Sequence, residues 1–279
     1  MMLLAIATGA NTAAVGGTEG VVQSADGVSI AYTTHGAGKP AIVFIHGGYA
    51  DQTFWKEQSA ALSDQYTLVT LDLAGHGLSG SDREVWSLAA FGEDVRAVVE
   101  ALDLDSVVLV GNSLGGPVAL SAAKKLPGVV KGIIAVDTFQ KADRHWSREN
   151  FEAYIESLRR DFPRTCEAMV KQLLLEDSDP ELYTWIETKM CSFDPAVAPH
   201  VVEGFLDFDL KEEFSAAEVP IRGILGQTAP IDLEGNRALR PDFDAVVMEG
   251  CGHYPQLERP EEFNRLLEVY VEELLSQGS

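Results

Sequence analysis

The chain has 279 residues, 46% of them hydrophobic and 23% charged, which suits one large α/β domain carrying an insertion. Its net charge of −22 repels phosphate backbones and anionic lipid, so nucleic acid and anionic membrane surfaces are excluded as partners. No stretch approaches the roughly 20 apolar residues of a membrane-spanning helix, and the acidic surface favours solubility.

Residues 1–18, opening MMLLAIATGA, pair a short apolar run with small residues but lack a positive start. They read as a disordered leader or signal remnant outside the fold and leave the compartment open between export and cytoplasm. The pattern becomes regular from Val21. VSIAYTTHG (28–36) alternates as a strand, and AIVFIHGG (41–48) is a buried strand ending in glycines. Asp51–Leu62 is helical, YTLVTLDLAGHG (66–77) is a strand with a glycine turn, and Leu88–Leu102 has helical spacing. SVVLVGNS (106–113) is a strand, Leu114–Leu126 a helix and GIIAVDT (132–138) a further strand. PIRGILG (220–226), DAVVMEG (244–250) and an amphipathic helix from about Pro260 to Leu275 complete the order. Apolar runs alternating with helices predict a mostly parallel sheet with helices on both faces.

Residues 140–217 break the alternation: they are acidic, contain Trp146, Phe151, Tyr154, Tyr183, Trp185, Phe193 and Phe205, and show helical spacing. They are expected to form a helical cap over the C-terminal edge of a core built from 19–139 and 218–279. Cys166, Cys191 and Cys251 show no CxxC spacing or Cys/His cluster, so no zinc site is expected. Their odd number points to isolated buried thiols, with a Cys166–Cys191 pair as the alternative.

The segment VGNSLGG (110–116) carries chemistry. Gly111, Gly115 and Gly116 surround Ser113 between a strand and a helix, where a sharp reversal demands close backbone approach. A serine there needs a base, an orienting group and oxyanion donors. Of the six histidines, His46 and His76 lie in glycine turns that they are expected to brace, and His35, His145 and His200 have no motif around them. His253, in GCGHYP after the last strand, reaches the same edge as Ser113 and is the candidate base. The oxyanion donors are assigned to the Leu114 N–H at the helix start and to Gly48 in the HGGY loop.

Ser113 in GNSLGG, His253 in GCGHYP, the HGG loop and LDLAGHGLSG together resemble the α/β-hydrolase family over nearly the whole ordered chain. The resemblance implies an α/β-hydrolase fold: a mostly parallel eight-stranded sheet with flanking helices and a cap after the sixth strand. It also implies a Ser–acid–His order along the chain. The family's acid usually stands a few residues after the seventh strand, where this sequence reads Gly226-Gln227-Thr228-Ala229. Two substitutes exist. Asp232 lies further on and suits a helix cap. Asp137, ending the sixth strand, is preferred, because some members take their acid there and a group of bacterial members has a similar Val-Asp-Thr. Asn112, often a histidine in relatives, is expected to brace the turn, and Asp72 to hydrogen-bond its own loop.

The implied activity is that of a cofactor-independent, metal-free serine hydrolase with a small-molecule substrate, a small and fairly apolar carboxylic ester. Lactonase, carbon–carbon hydrolase and cofactor-free perhydrolase chemistry use the same parts, and a small-molecule receptor is the reading from another class. Serine rather than aspartate at position 113 excludes the epoxide-hydrolase and dehalogenase branches. A neutral imidazole is the working base, so hydrolysis is expected to climb as pH rises through about 6–7. A rate profile that runs level down to pH 4 would contradict that base.

Overall fold

The computed structural model describes residues 17–143 and 147–276. His145, Trp146 and the leader up to residue 16 lie outside the described residues. The strands are β1 (Thr18–Gln23), β2 (Ser29–His35), β3 (Ala41–Ile45), β4 (Thr67–Leu71), β5 (Val107–Asn112), β6 (Val130–Val136), β7 (Ile221–Leu225) and β8 (Asp244–Val247). They form one eight-stranded sheet in the order β1-β2-β4-β3-β5-β6-β7-β8. β2 runs antiparallel to β1 and β4, and every pair from β4 to β8 is parallel. The alternation read from Val21 onward does not anticipate β1. Its TEGVVQ is a largely exposed edge strand with little apolar signal.

The parallel strands are apolar throughout because both faces are covered. Ile42 and Phe44 point into one layer with Trp55, Leu68 and Phe263. Val43 and Ile45, their period-two neighbours, point into the other with Phe91, Val95 and Leu114. The first layer is closed by α1 (Lys56–Leu62) and α11 (Pro260–Ser276), the second by α2 (Leu88–Ala101) and α3 (Gly115–Lys125). β5 is central, with β3 on one side and β6 on the other. At such a change of winding direction the loops at the carboxyl ends diverge and leave a crevice. Register aligns these ends: Ile45 pairs with Gly111, Asn112 with Val136, and Val136 with Ile224.

Between β6 and β7 stand α4 (Arg148–Arg160), α5 (Phe162–Leu173), α6 (Pro180–Cys191), α7 (Ala198–Glu203) and α8 (Leu210–Ala216), with no strand among the described residues of that segment. Asp161 and Asp179 cap α5 and α6 by accepting from the Arg164 and Glu181 N–H groups. Cys166 and Cys191 are bonded across these two helices, with Cα atoms 5.5 Å apart. That corrects the expectation of isolated thiols, which holds only for buried Cys251. The pairing depends on how α5 and α6 pack, and a separation of 25 residues has no spacing signature. α9 (Leu233–Leu239) and α10 (Pro255–Glu258) complete the fold. No helix among the described residues is long and apolar enough to cross a membrane.

Thiol titration of the denatured, unreduced protein is expected to find Cys251 alone, and all three cysteines after reduction. The Cys166→Ser/Cys191→Ser variant should lose about 3 kcal/mol of stability in denaturant melts.

Candidate active site

The turn after β5 can be made only from small residues. A Cβ on Gly111 would stand 2.2 Å from the Gly115 carbonyl oxygen, and one on Gly115 would stand 2.3 Å from the Ile45 carbonyl oxygen. Ser113, between them, has φ +52°, a left-handed conformation costly for a side-chain-bearing residue. Two bonds hold it: its N–H donates to Val136 O at 3.0 Å, and the Gly116 N–H donates back to Ser113 O at 3.0 Å. Ser113 remains partly exposed although Asn112 and Leu114 on either side are buried. Leu114 is the residue preceding α3, at the end of the helix whose N–H groups lack intrahelical partners.

The β3 loop lies alongside. A Cβ on Gly47 would come within 3.3 Å of Ser113 Cβ, whereas one on Gly48 would meet only Val201 Cγ1 at 3.8 Å and Leu114 Cδ2 at 4.0 Å. Gly48 is therefore the open position and Gly47 the packed one. His46 braces this loop: its Nδ1 bonds Gly47 O at 2.7 Å, and its Nε2 accepts from the Leu73 N–H at 3.0 Å. Burial lowers its pKa, and burial with the neighbouring His46 pushes His76 down to about 3, so the two rings brace the turns uncharged. Asp72 accepts from the Leu78 N–H in its own turn at 2.9 Å and also from the Gln52 N–H at 2.7 Å.

Asp137 and His253 meet. His253 Nδ1 stands 2.5 Å from Asp137 Oδ2, with the carboxylate wholly buried and the imidazole 12% exposed. Burial alone would raise the Asp137 pKa. The hydrogen bond and charge of His253, with the Gly226 N–H at 2.7 Å and the Gln140 side chain, outweigh it and hold the carboxyl below the usual range. Thr228 Oγ1 donates to the same carboxylate at 3.3 Å. The loop after β7, which reads GQTAP in place of an acid, thus supplies donors to the acid from β6. Asp232 is placed differently. It precedes α9 and accepts from the Gly235 N–H at 2.8 Å as a helix cap.

Asn112 links the two halves of the site. Its Nδ2 donates to Val136 O and to His253 O, both at 3.1 Å, so the residue beside Ser113 holds the loop of the imidazole. The His253 N–H donates to Leu173 O, at the end of α5, at 2.7 Å. Thr228, Gln140 and Leu173 were not singled out from the sequence. Their contacts cross between elements far apart in the chain, and no local pattern signals them. Among the described residues no cluster of His, Cys, Asp or Glu is arranged to hold a metal ion.

Asp137→Asn is expected to lower kcat by about 10³–10⁴-fold, because an amide leaves the imidazole in the wrong tautomer. Asp232→Asn, which keeps the cap, should leave turnover within about twofold of wild type. Steady-state rates of the two variants on one substrate test the assignment.

Residues 42–266 match the family described as "Alpha/beta hydrolase family". The AB hydrolase superfamily protein YisY of Bacillus subtilis is 26% identical over 260 residues, 88% of this chain and 96% of that protein. An uncharacterized protein of Mycobacterium tuberculosis is 37% identical over 114 residues, 41% of this chain, and the match spans only 33% of that longer protein. Among solved structures, a thermophilic esterase from Thermogutta terrifontis superposes with a TM-score of 0.81 at 26% identity, covering 92% of this chain and 99% of the esterase.

Proposed function

The chain belongs to the alpha/beta hydrolase family, and on that premise we propose that it is a serine hydrolase cleaving a small, fairly apolar carboxylic ester through an acyl-enzyme. The observation that carries this reading is the buried Asp137 carboxylate bonded to His253 Nδ1, on a loop tied by Asn112 to the Ser113 turn. With Nδ1 committed to Asp137, Nε2 is the basic nitrogen left to take a proton.

In the proposed cycle Ser113 Oγ attacks the ester carbonyl carbon while its proton passes to His253 Nε2. The carbonyl oxygen becomes an oxyanion received by the Gly48 and Leu114 N–H groups. Collapse of the tetrahedral intermediate breaks the ester C–O bond, and the imidazolium returns its proton to the leaving alkoxide. Asp137, held as a carboxylate, fixes the tautomer and faces the imidazolium without taking its proton. Water then attacks the acyl-enzyme by the same route, releasing the acid and restoring Ser113.

The substrate class rests on the surroundings. A surface with net charge −22 disfavours polyanionic substrates, and the missing side chain at Gly48 leaves space beside the oxyanion donors. Tyr49, which follows Gly48, packs edge to face on Phe162 and Phe193 with centroids 5.4 and 5.1 Å away, so the residue next to the oxyanion loop is set in apolar surroundings contributed by the segment between β6 and β7. The similarity to the Thermogutta terrifontis esterase supports the same chemistry.

Steady-state hydrolysis of p-nitrophenyl esters from acetate to decanoate, with wild type and Ser113→Ala side by side, tests the proposal. Turnover on the short esters that falls at least about 10³-fold in the alanine variant is expected. Equal rates in the two proteins, or no turnover on any ester, would sink the esterase reading.

A further inference from the structure

His253 is held by its side chain through Asp137, and its backbone is held just as closely. The N–H groups on either side of it converge on one carboxylate: Gly252 N–H donates to Glu258 Oε2 at 2.9 Å and Tyr254 N–H to Glu258 Oε1 at 3.1 Å. Ser178 Oγ, from the connection between α5 and α6, donates to Glu258 Oε2 at 3.2 Å. The His253 N–H itself goes to Leu173 O and its carbonyl receives Asn112 Nδ2. The peptide groups around the imidazole are therefore pinned from three sides: by the nucleophile turn, by the cap and by Glu258. No side chain fits at position 252, where a Cβ would stand 2.7 Å from Leu173 O and 3.0 Å from Glu258 Oε1.

We propose that Glu258 is a positioning residue for the hydrolytic reaction, setting the place of His253 by gripping the two peptide N–H groups that flank it. The proposal rests on His253 being the base of the reading above. Glu258 stands at the end of α10 and reaches back over that helix to the N–H of the residue preceding it. The Tyr254 N–H lies where a helix start leaves donors without partners, the Gly252 N–H lies two residues earlier, and the two oxygens of a carboxylate have acceptor positions for both together. Glutamine in its place accepts from one N–H and turns an NH₂ toward the other, so the loop must shift to separate two donors. A displacement of the base by about 1 Å is enough to cost on the order of 10²-fold in rate. The segment between β6 and β7 enters the same grip through Ser178 in its α5–α6 connection.

The test is a double-mutant cycle on the full chain with a p-nitrophenyl ester: wild type, Glu258→Gln, His253→Ala and the double variant. Glu258→Gln is expected to lower kcat by about 10–100-fold with KM within about twofold, and to change the residual rate of His253→Ala by no more than about twofold. Wild-type kcat in Glu258→Gln overturns the proposal, as does an equal fold loss in the His253→Ala background, which would mark a general structural role. If Glu258→Gln does not accumulate as folded protein, Glu258→Asp takes its place in the cycle. It keeps the charge but withdraws the carboxylate by one methylene, and about a tenfold fall in kcat is expected, with a shifted proton resonance of His253 Nδ1–H. Wild-type kcat with that resonance unmoved overturns the proposal. Undiminished turnover in His253→Ala removes the base and the proposal with it, whereas a strong His253→Ala effect beside a silent Glu258→Gln removes the proposal alone.

Discussion

A carboxylate wholly removed from water is tolerated only if charge and hydrogen bonds replace its solvation, and Asp137 imposes that requirement on every element around it. It receives the imidazole of His253 from the loop after β8, the Gly226 N–H and the Thr228 hydroxyl from the loop after β7, and Gln140 from the connection after β6. The contacts need β6, β7 and β8 to end side by side, which their parallel register ensures. They also need the β7 and β8 loops to touch, and a Cβ on Gly226 would stand 1.8 Å from Gly252 O. Asp137 itself takes φ +42°, so strain at both Ser113 and Asp137 is absorbed by the rigid sheet edge that holds them.

The position of Asp137 at the end of β6 fits the composition of the neighbouring loop. Where a carboxylate after β7 would approach the imidazole directly, the Gly226-Gln227-Thr228 stretch instead presents donors. Gln227 adds a further link, accepting from the Gly250 N–H at 2.7 Å while its own N–H donates to Cys251 O at 2.8 Å. Asp137 and the loop after β7 are therefore one hydrogen-bonded unit.

The helical segment between β6 and β7 is part of the same unit. The end of α5 accepts the His253 N–H, and Tyr254 OH lies 3.0 Å from Met190 Sδ on α6. The Cys166–Cys191 bond ties those two helices together. The two helices that contact the imidazole loop are thus themselves joined by a covalent link.

Much of this was legible in the sequence. Strand–helix alternation and four-to-seven-residue apolar runs determined a parallel sheet, because strands buried on both faces must be continuously apolar. The glycines around Ser113 identified the turn, since no other residue tolerates carbonyl oxygens so near. The GCGHYP loop placed His253 at the same edge. Beyond those signals, the chain order stops short of three-dimensional neighbours. Whether Asp137 or Asp232 faces the imidazole, whether Cys166 meets Cys191, and which carboxylate gathers the N–H groups beside His253 are all contacts between segments far apart in sequence. Local pattern records what each segment must bury or how it must turn. The pairing of distant side chains is set by strand register and helix packing, and only the tertiary structure decided it.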